Sequence, residues 1–172
     1  MPNIAALTRL DYFNGQLLSA EDLRVEQSYL LDRWRRHNRF LHGWGVVSGL
    51  ELKVDNGADI EVAPGIAIDC AGNELVVPST LRLAIPSGAD RLYVALTYAE
   101  LILGTVPAPN GQTAGSRIQE TVALELSLTN AAALHRGKGP GTPGCGAAHA
   151  VCIASITRRG KGWQVRCRNH AS

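Results

Sequence analysis

The sequence predicts a mainly β protein: an antiparallel β-sandwich or small barrel preceded by one long N-terminal α-helix. Three observations carry that expectation. The stretch from Ala20 to Leu41 holds no Gly or Pro and repeats apolar residues at helical spacing. From Val46 onward, apolar and polar residues alternate in short runs. Turn signals such as Asp55-Asn56-Gly57, Pro64-Gly65 and Ala71-Gly72-Asn73 separate those runs. The division expected is an N-terminal turn and helix in residues 1–45 and a β domain in residues 46–172.

The helix has its own start and stop. Asn14-Gly15 marks a turn, and Ser19 is a good N-cap with Glu21 and Asp22 in the first turn, where the dipole favours negative charge. Ser19 to Asp22 has capping-box spacing, with Asp in place of the usual Glu or Gln. Leu23, Leu30, Trp34 and Leu41 recur at spacings of seven, four and seven, a narrow apolar seam. Arg33, Arg35, Arg36 and Arg39 make the helix end basic, and Gly43 and Gly45 terminate it.

The strands follow in order. Val46 to Asp55 places Leu50, Leu52 and Val54 on one face and is read as one half-buried strand. Further strands are expected at Asp59–Ala63, Ile66–Cys70, Glu74–Val77 and around Leu81 to Ile85. Arg91 to Leu101 is the longest apolar run and is expected to be central. Residues Gly104 to Ser116 are rich in Pro, Gly and Asn and are read as a loop. Thr121–Leu128 returns to alternation, Ala131–His135 reads as a helical turn, and Gly137–Ala147 as a second loop. A last hairpin is expected from Ala150–Thr157 and Trp163–Arg168.

Composition narrows the function classes. With 172 residues, 45% hydrophobic and 19% charged, the chain is globular and long enough to bury a core. The net charge of +2 is too small to point to a polyanion partner, so no nucleic-acid partner is expected. No run approaches the roughly 20 apolar residues that span a bilayer, and the N-terminus lacks a signal-peptide pattern. Synthesis and assembly in the cytoplasm, with the product part of a virion or a released particle, are the expectation.

Motifs for catalysis are missing. There is no G-x-S-x-G, no H-E-x-x-H and no phosphate-binding Gly-rich loop opening a helix. His37 and His42 are five apart, a spacing that an α-helix does not bring to one face. No metal or cofactor is expected; the alternative is a structural zinc on Cys145, His149, Cys152 and Cys167, whose residue types suit a tetrahedral site although their spacing is not that of a standard finger. Trp and Arg together at the helix end suit an interface, since both are enriched at interface hot spots.

One long segment resembles a known group. Phe13–Leu18 (FNGQLL), Ala20–Leu23 (AEDL), Glu26–Tyr29 (EQSY), Arg33–Arg39 (RWRRHNR) and Leu41–Leu50 (LHGWGVVSGL) follow one another as in baseplate and tail-associated structural proteins of contractile phage tails and phage-tail-like injection systems. Val62–Asp69 with Gly72, and Glu120-Thr121 leading into a strand, are similar to the same group. The resemblance is strong over about the first half, loose afterwards, and does not extend to the cysteine-rich C-terminal part. It implies a non-enzymatic structural or adaptor subunit that contacts other subunits of a large assembly, as a homo- or hetero-oligomer.

The expectation drawn from residues and resemblance together is docking through the N-terminal helix, with Phe13, Leu23, Leu30, Trp34, Arg36, Arg39 and Trp44 as the interface. The alternative is a carbohydrate- or surface-binding β-sandwich module using residues 104–116 and 137–147 as its rim. A third possibility is a hydrolase built on the cysteine and histidine set.

Overall fold

The structure, a computed structural model, describes residues 6–55, 59–108, 111–130 and 142–167. Its helix α1 spans Ala20–His37 and runs directly into a π-helical turn, Asn38–His42. Both halves of the capping box form: the Ser19 amide donates to the Asp22 carboxylate at 2.8 Å, and the Asp22 amide donates to Ser19 Oγ at 3.2 Å. Asp is therefore long enough to close the box here. The Ser19 hydroxyl, donating at 2.6 Å, and then the Ser19 amide hold the Asp22 carboxyl below its ordinary pKa. No residue of α1 is buried.

Among the described residues ten strands follow: β1 (Gly45–Gly49), β2 (Leu52–Asp55), β3 (Asp59–Val62), β4 (Gly65–Ile68), β5 (Glu74–Val77), β6 (Leu81–Ala84), β7 (Arg91–Pro107), β8 (Thr113–Ser127), β9 (Val151–Arg159) and β10 (Gly162–Cys167). They form three antiparallel sheets with orders β1-β4-β5, β2-β3-β6 and β10-β9-β7-β8. The mainly β, antiparallel architecture behind one N-terminal helix is as the sequence predicts.

The stretch expected to be one strand, Val46–Asp55, is two strands in different sheets. Gly49 and Leu50 both take positive φ, 66° and 62°, and bend the chain there. The opposite arm bends at Pro64-Gly65. A side chain at Gly49 would lie 2.2 Å from the Pro64 carbonyl oxygen, so the close approach of the two arms requires glycine. Hydrogen bonds persist across the corner, from the Leu50 amide to the Pro64 carbonyl and from the Ala63 amide to the Glu51 carbonyl. β1–β2 and β3–β4 are thus one bent hairpin shared between two sheets. Alternation in the sequence continues through the bend, which is why it reads as a single strand.

All three sheets contribute to one core. Leu52, Ile60 and Val62 come from one, Val46, Ala67, Leu75 and Val77 from the second, and Leu92, Val94, Leu96, Val151, Ile153 and Ile156 from the third. Each fully buried aliphatic side chain contributes about 1.5–3 kcal/mol by leaving water.

β7 and β8 outrun this core. Leu92 to Leu96 are buried or half-buried, but residues 100–107 and 111–120 are exposed on both faces. The paired register continues nevertheless, from Leu101↔Gln119 to Pro107↔Thr113. The outer part is a two-stranded arm reaching about 20 Å beyond the core. Residues 104–116, expected as a loop, therefore lie mostly in the paired strands of this arm, 104–107 in β7 and 113–116 in β8. The misreading has a physical cause: a hairpin exposed on both faces has no buried side to impose alternation. The expected helical turn at Ala131–His135 lies outside the described residues, as does the first part of the 137–147 segment.

Substitutions should separate core from helix. Leu96→Ala should cost about 2–5 kcal/mol, whereas Leu23→Ala should change stability by no more than about 0.5 kcal/mol. Denaturant unfolding of the two variants measures both.

Candidate functional site

The site is built around the way an unburied helix is fastened to a β core. Asn38, at the start of the π-turn, is 5% exposed. Its Nδ2 donates to the Gly72 carbonyl at 3.1 Å and to Glu74 Oε1 at 3.2 Å. Gly72 belongs to the tight turn between β4 and β5. There Asp69, fully buried, accepts from the Ala71 and Asn73 amides, both at 2.9 Å, and from Asn73 Nδ2 at 2.8 Å. The helix presses close on this turn: a Cβ on Gly72 would fall 2.1 Å from the Arg35 carbonyl oxygen.

Two arginines complete the fastening. Arg39 Nε donates to the Gly144 carbonyl at 2.8 Å, and the Gly144 amide donates to the Arg39 carbonyl at 3.3 Å. Arg35 sits 6.0 Å from the ring centre of Tyr98, near the root of the β7–β8 arm. The Tyr98 hydroxyl donates to Glu100 at 2.7 Å and lies 3.1 Å from Glu120. Burial, followed by those two carboxylates, raises the phenol pKa far above its ordinary value.

The rest of the helix is open. Leu23 (54%), Leu30 and Trp34 (62%) are exposed along it, and Phe13, Leu17 and Leu18 are exposed just before it. Gln16 closes the Phe13–Gln16 turn by accepting from the Phe13 amide, which leaves the Phe13 ring in water. Trp34 borders grooves on both sides of α1. One, about 380 Å³, runs between the helix end and the outer face of β1 and β4, lined by Trp34, His37, His42, Val47, Ile66 and Glu74. Ile66 pairs directly across from Val76, and Val47, Ile66 and Val76 are all exposed. The other groove, about 370 Å³, lies towards the arm and is lined by Leu31, Arg35, Asn73 and Glu120, among others. Apolar surface therefore continues from the helix onto a sheet face.

The expected interface residues divide. Phe13, Leu23, Leu30, Trp34 and Arg36 are exposed, the five of them on or just ahead of α1. Arg39 is half-buried and committed to Gly144 within the chain. Trp44 is 5% exposed and belongs to the interior, so it offers no open surface. The sequence reading missed Asn38, Asp69 and Gly72. A signal was present, because the segments that carry the phage-tail resemblance, Arg33–Arg39 and Val62–Asp69 with Gly72, meet at this junction.

The histidines also differ from expectation. The π-turn adds a residue to the helical repeat, so positions five apart face each other. His37 and His42 approach to 3.2 Å between their Nε2 atoms, and His37 lies edge-on to Trp34. The alternative zinc set is not assembled. Cys152 is buried in β9, Cys167 is exposed on β10, and Cys145 lies against Cys70 instead. Among the described residues no three His, Cys, Asp or Glu side chains converge as metal ligands.

The chain matches no protein-family model and no curated protein. Solved structures do match. A chain of the type VI secretion system TssK-TssF-TssG baseplate subcomplex, seen by cryo-electron microscopy, superposes with TM-score 0.55 at 13% identity over 95% of this chain. A chain of the baseplate complex from the type VI secretion system gives 0.55 at 12% over 94%. TssK in its crystal structure gives 0.50 at 14% over 94%. The fold is shared with type VI secretion baseplate proteins. This chain spans 61%, 58% and 41% of those three chains, respectively.

The junction should depend on amide chemistry as well as on shape. Asn38→Ala removes both donations and should cost about 1–3 kcal/mol. Asn38→Asp puts a carboxylate against the Gly72 carbonyl and Glu74 and should cost more. Equilibrium unfolding of the two variants gives the order; an Asn38→Asp variant as stable as the wild type would mean that the hydrogen bonds contribute nothing beyond packing.

Proposed function

We propose that this chain is a non-enzymatic structural subunit of a contractile, phage-tail-like assembly, and that it docks on neighbouring subunits through α1 and the adjoining groove. One observation carries the reading: α1 buries none of its residues within the chain yet displays Leu23, Leu30 and Trp34. A helix with that seam is stabilised by packing, and this chain supplies little. A protein partner accounts for the seam. Contiguous apolar patches rimmed by charge mark protein interfaces, and Arg33 lines the same surface hollow as Leu30 and Trp34.

The fold shared with baseplate chains of type VI secretion supports the same reading at the level of architecture. Those proteins are described as parts of multi-subunit complexes, which fits a partner that is another subunit of the assembly. Nucleic acid is a poorer fit, because the arginines of the helix end are spread over different roles: Arg35 faces Tyr98, Arg39 binds Gly144 and Arg36 is exposed. Membrane insertion is not part of the proposal; among the described residues no helix is long and apolar enough to cross a bilayer.

The double variant Leu23→Asp, Trp34→Asp tests this. Both positions are exposed, so the circular dichroism spectrum and unfolding midpoint should stay close to wild type. Co-purification with the other subunits of its assembly should be lost, with binding weakened by about 2 kcal/mol or more, roughly 30-fold in Kd. A folded variant that still assembles at wild-type affinity would overturn the proposal.

A further inference from the structure

Cys70 and Cys145 are 75 positions apart in the sequence and adjacent in the fold. Cys70 follows β4 and opens the turn that receives the helix; it is 1% exposed. The segment 144–146 lies directly on it. The Gly146 amide donates to the Cys70 carbonyl at 3.0 Å, and a Cβ on Gly144 would sit 2.7 Å from Cys70 Cα. Backbone this close brings two cysteines into the range in which a disulfide closes without large movement. Cys145 lies between the two glycines that make these contacts.

We propose that Cys70 and Cys145 are a redox-active pair that closes to an intrachain disulfide and so clamps the 144–146 segment onto the helix junction. The two sulfurs differ in access. Cys145 is exposed and meets the oxidant, while Cys70 is enclosed and resolves the intermediate. Burial pushes the Cys70 thiol up to about 11, so it stays protonated at neutral pH until its partner is oxidised.

The step balances with a peroxide as oxidant. The Cys145 thiol gives up its proton and its sulfur attacks one peroxide oxygen; the O–O bond breaks, the departing hydroxide takes up that proton, and Cys145 becomes a sulfenic acid with release of one water. The Cys70 sulfur then displaces the hydroxyl group from Cys145. Its proton leaves with that hydroxyl as a second water, and the S–S bond forms. Two thiols are oxidised by two electrons and one hydrogen peroxide is reduced to two waters. A dithiol reductant reverses the bond by exchange.

The position gives the bond a consequence. Gly144 is already hydrogen-bonded to Arg39 in both directions, and Gly72, two residues after Cys70, receives Asn38. A disulfide would therefore tie the C-terminal segment, the β4–β5 turn and the end of α1 into one covalently closed unit. The inference does not depend on what the helix docks against. The other two cysteines give an internal comparison: Cys152 is buried in β9 and donates to the Ala154 carbonyl, and Cys167 is exposed at the end of β10.

The test is peptide mapping under non-reducing conditions. Full-length protein is treated with hydrogen peroxide, alkylated after unfolding, digested and analysed by mass spectrometry. The expected product joins the Cys70 and Cys145 peptides, disappears with dithiothreitol, forms equally in Cys167→Ser and is lost in Cys145→Ser. Hydrogen exchange at residues 38–43 should slow in the oxidised form. Cys145 recovered as a sulfinic acid, or joined to Cys167 or to another chain, with Cys70 still alkylated, would overturn the proposal. A Cys70–Cys145 bond that leaves exchange at 38–43 unchanged would overturn the clamp.

Discussion

The buried amide of Asn38 carries the attachment of the helix to the β core. A helix without a single buried residue has no packed face to fix its direction, so its orientation is decided where it ends. At that end a side-chain amide reaches a backbone carbonyl and a carboxylate, a glycine permits contact too close for any side chain, and Arg39 reaches the 144–146 segment. Each contact depends on the others. The Gly72 carbonyl is presented to Asn38 because Asp69 organises the turn through three hydrogen bonds. The π-turn places Asn38 inward while returning the chain towards β1, a single-turn insertion of the kind found at functional positions in helices.

Two projections leave the compact part: α1 with its preceding turn, and the arm of β7 and β8. Both are apolar and exposed, with Ile102 at 74% and Ile118 at 65% facing each other across the arm. A two-stranded ribbon in water is marginal alone. Their roots come together through Arg35 and Tyr98. The core is therefore a rigid base, and exposed apolar surface is concentrated on the elements it holds out. That is the arrangement expected of a subunit whose contacts are made with neighbours and not within itself.

Much of this was legible in the sequence where burial imposes a period. The capped helix and the sequence of short strands followed from spacing and turn residues, since one-sided burial writes alternation into β2, β3 and β5. Where burial is two-sided or absent, the pattern fails. The arm beyond Glu100 has no inner face, so its Pro and Gly read as a loop. The bend at Gly49-Leu50 leaves alternation intact and is invisible without the partner arm. Trp44 read as an interface residue because it is aromatic and next to the basic helix end, but two neighbouring glycines, Gly43 and Gly45, turn it into the interior. Asn38 and the histidine pair were hidden because an α-helical repeat was assumed through a turn that is π-helical. Two of the segments that carry the resemblance to phage-tail proteins, Arg33–Arg39 and Val62–Asp69 with Gly72, meet at the junction, while Phe13–Leu18, Ala20–Leu23 and Glu26–Tyr29 lie on or just ahead of the open helix.

Docking through α1 requires its open face to be covered by another subunit. Hydrogen exchange read by mass spectrometry, on the chain alone and in its native assembly, addresses it most directly, because amides of a helix with few tertiary contacts exchange readily when its partner is absent. Docking through α1 predicts strong new protection across residues 17–37 in the assembly, with the buried residues 92 and 94–96 of β7 and 151–154 of β9 unchanged. Equal exchange of α1 in both states would contradict it.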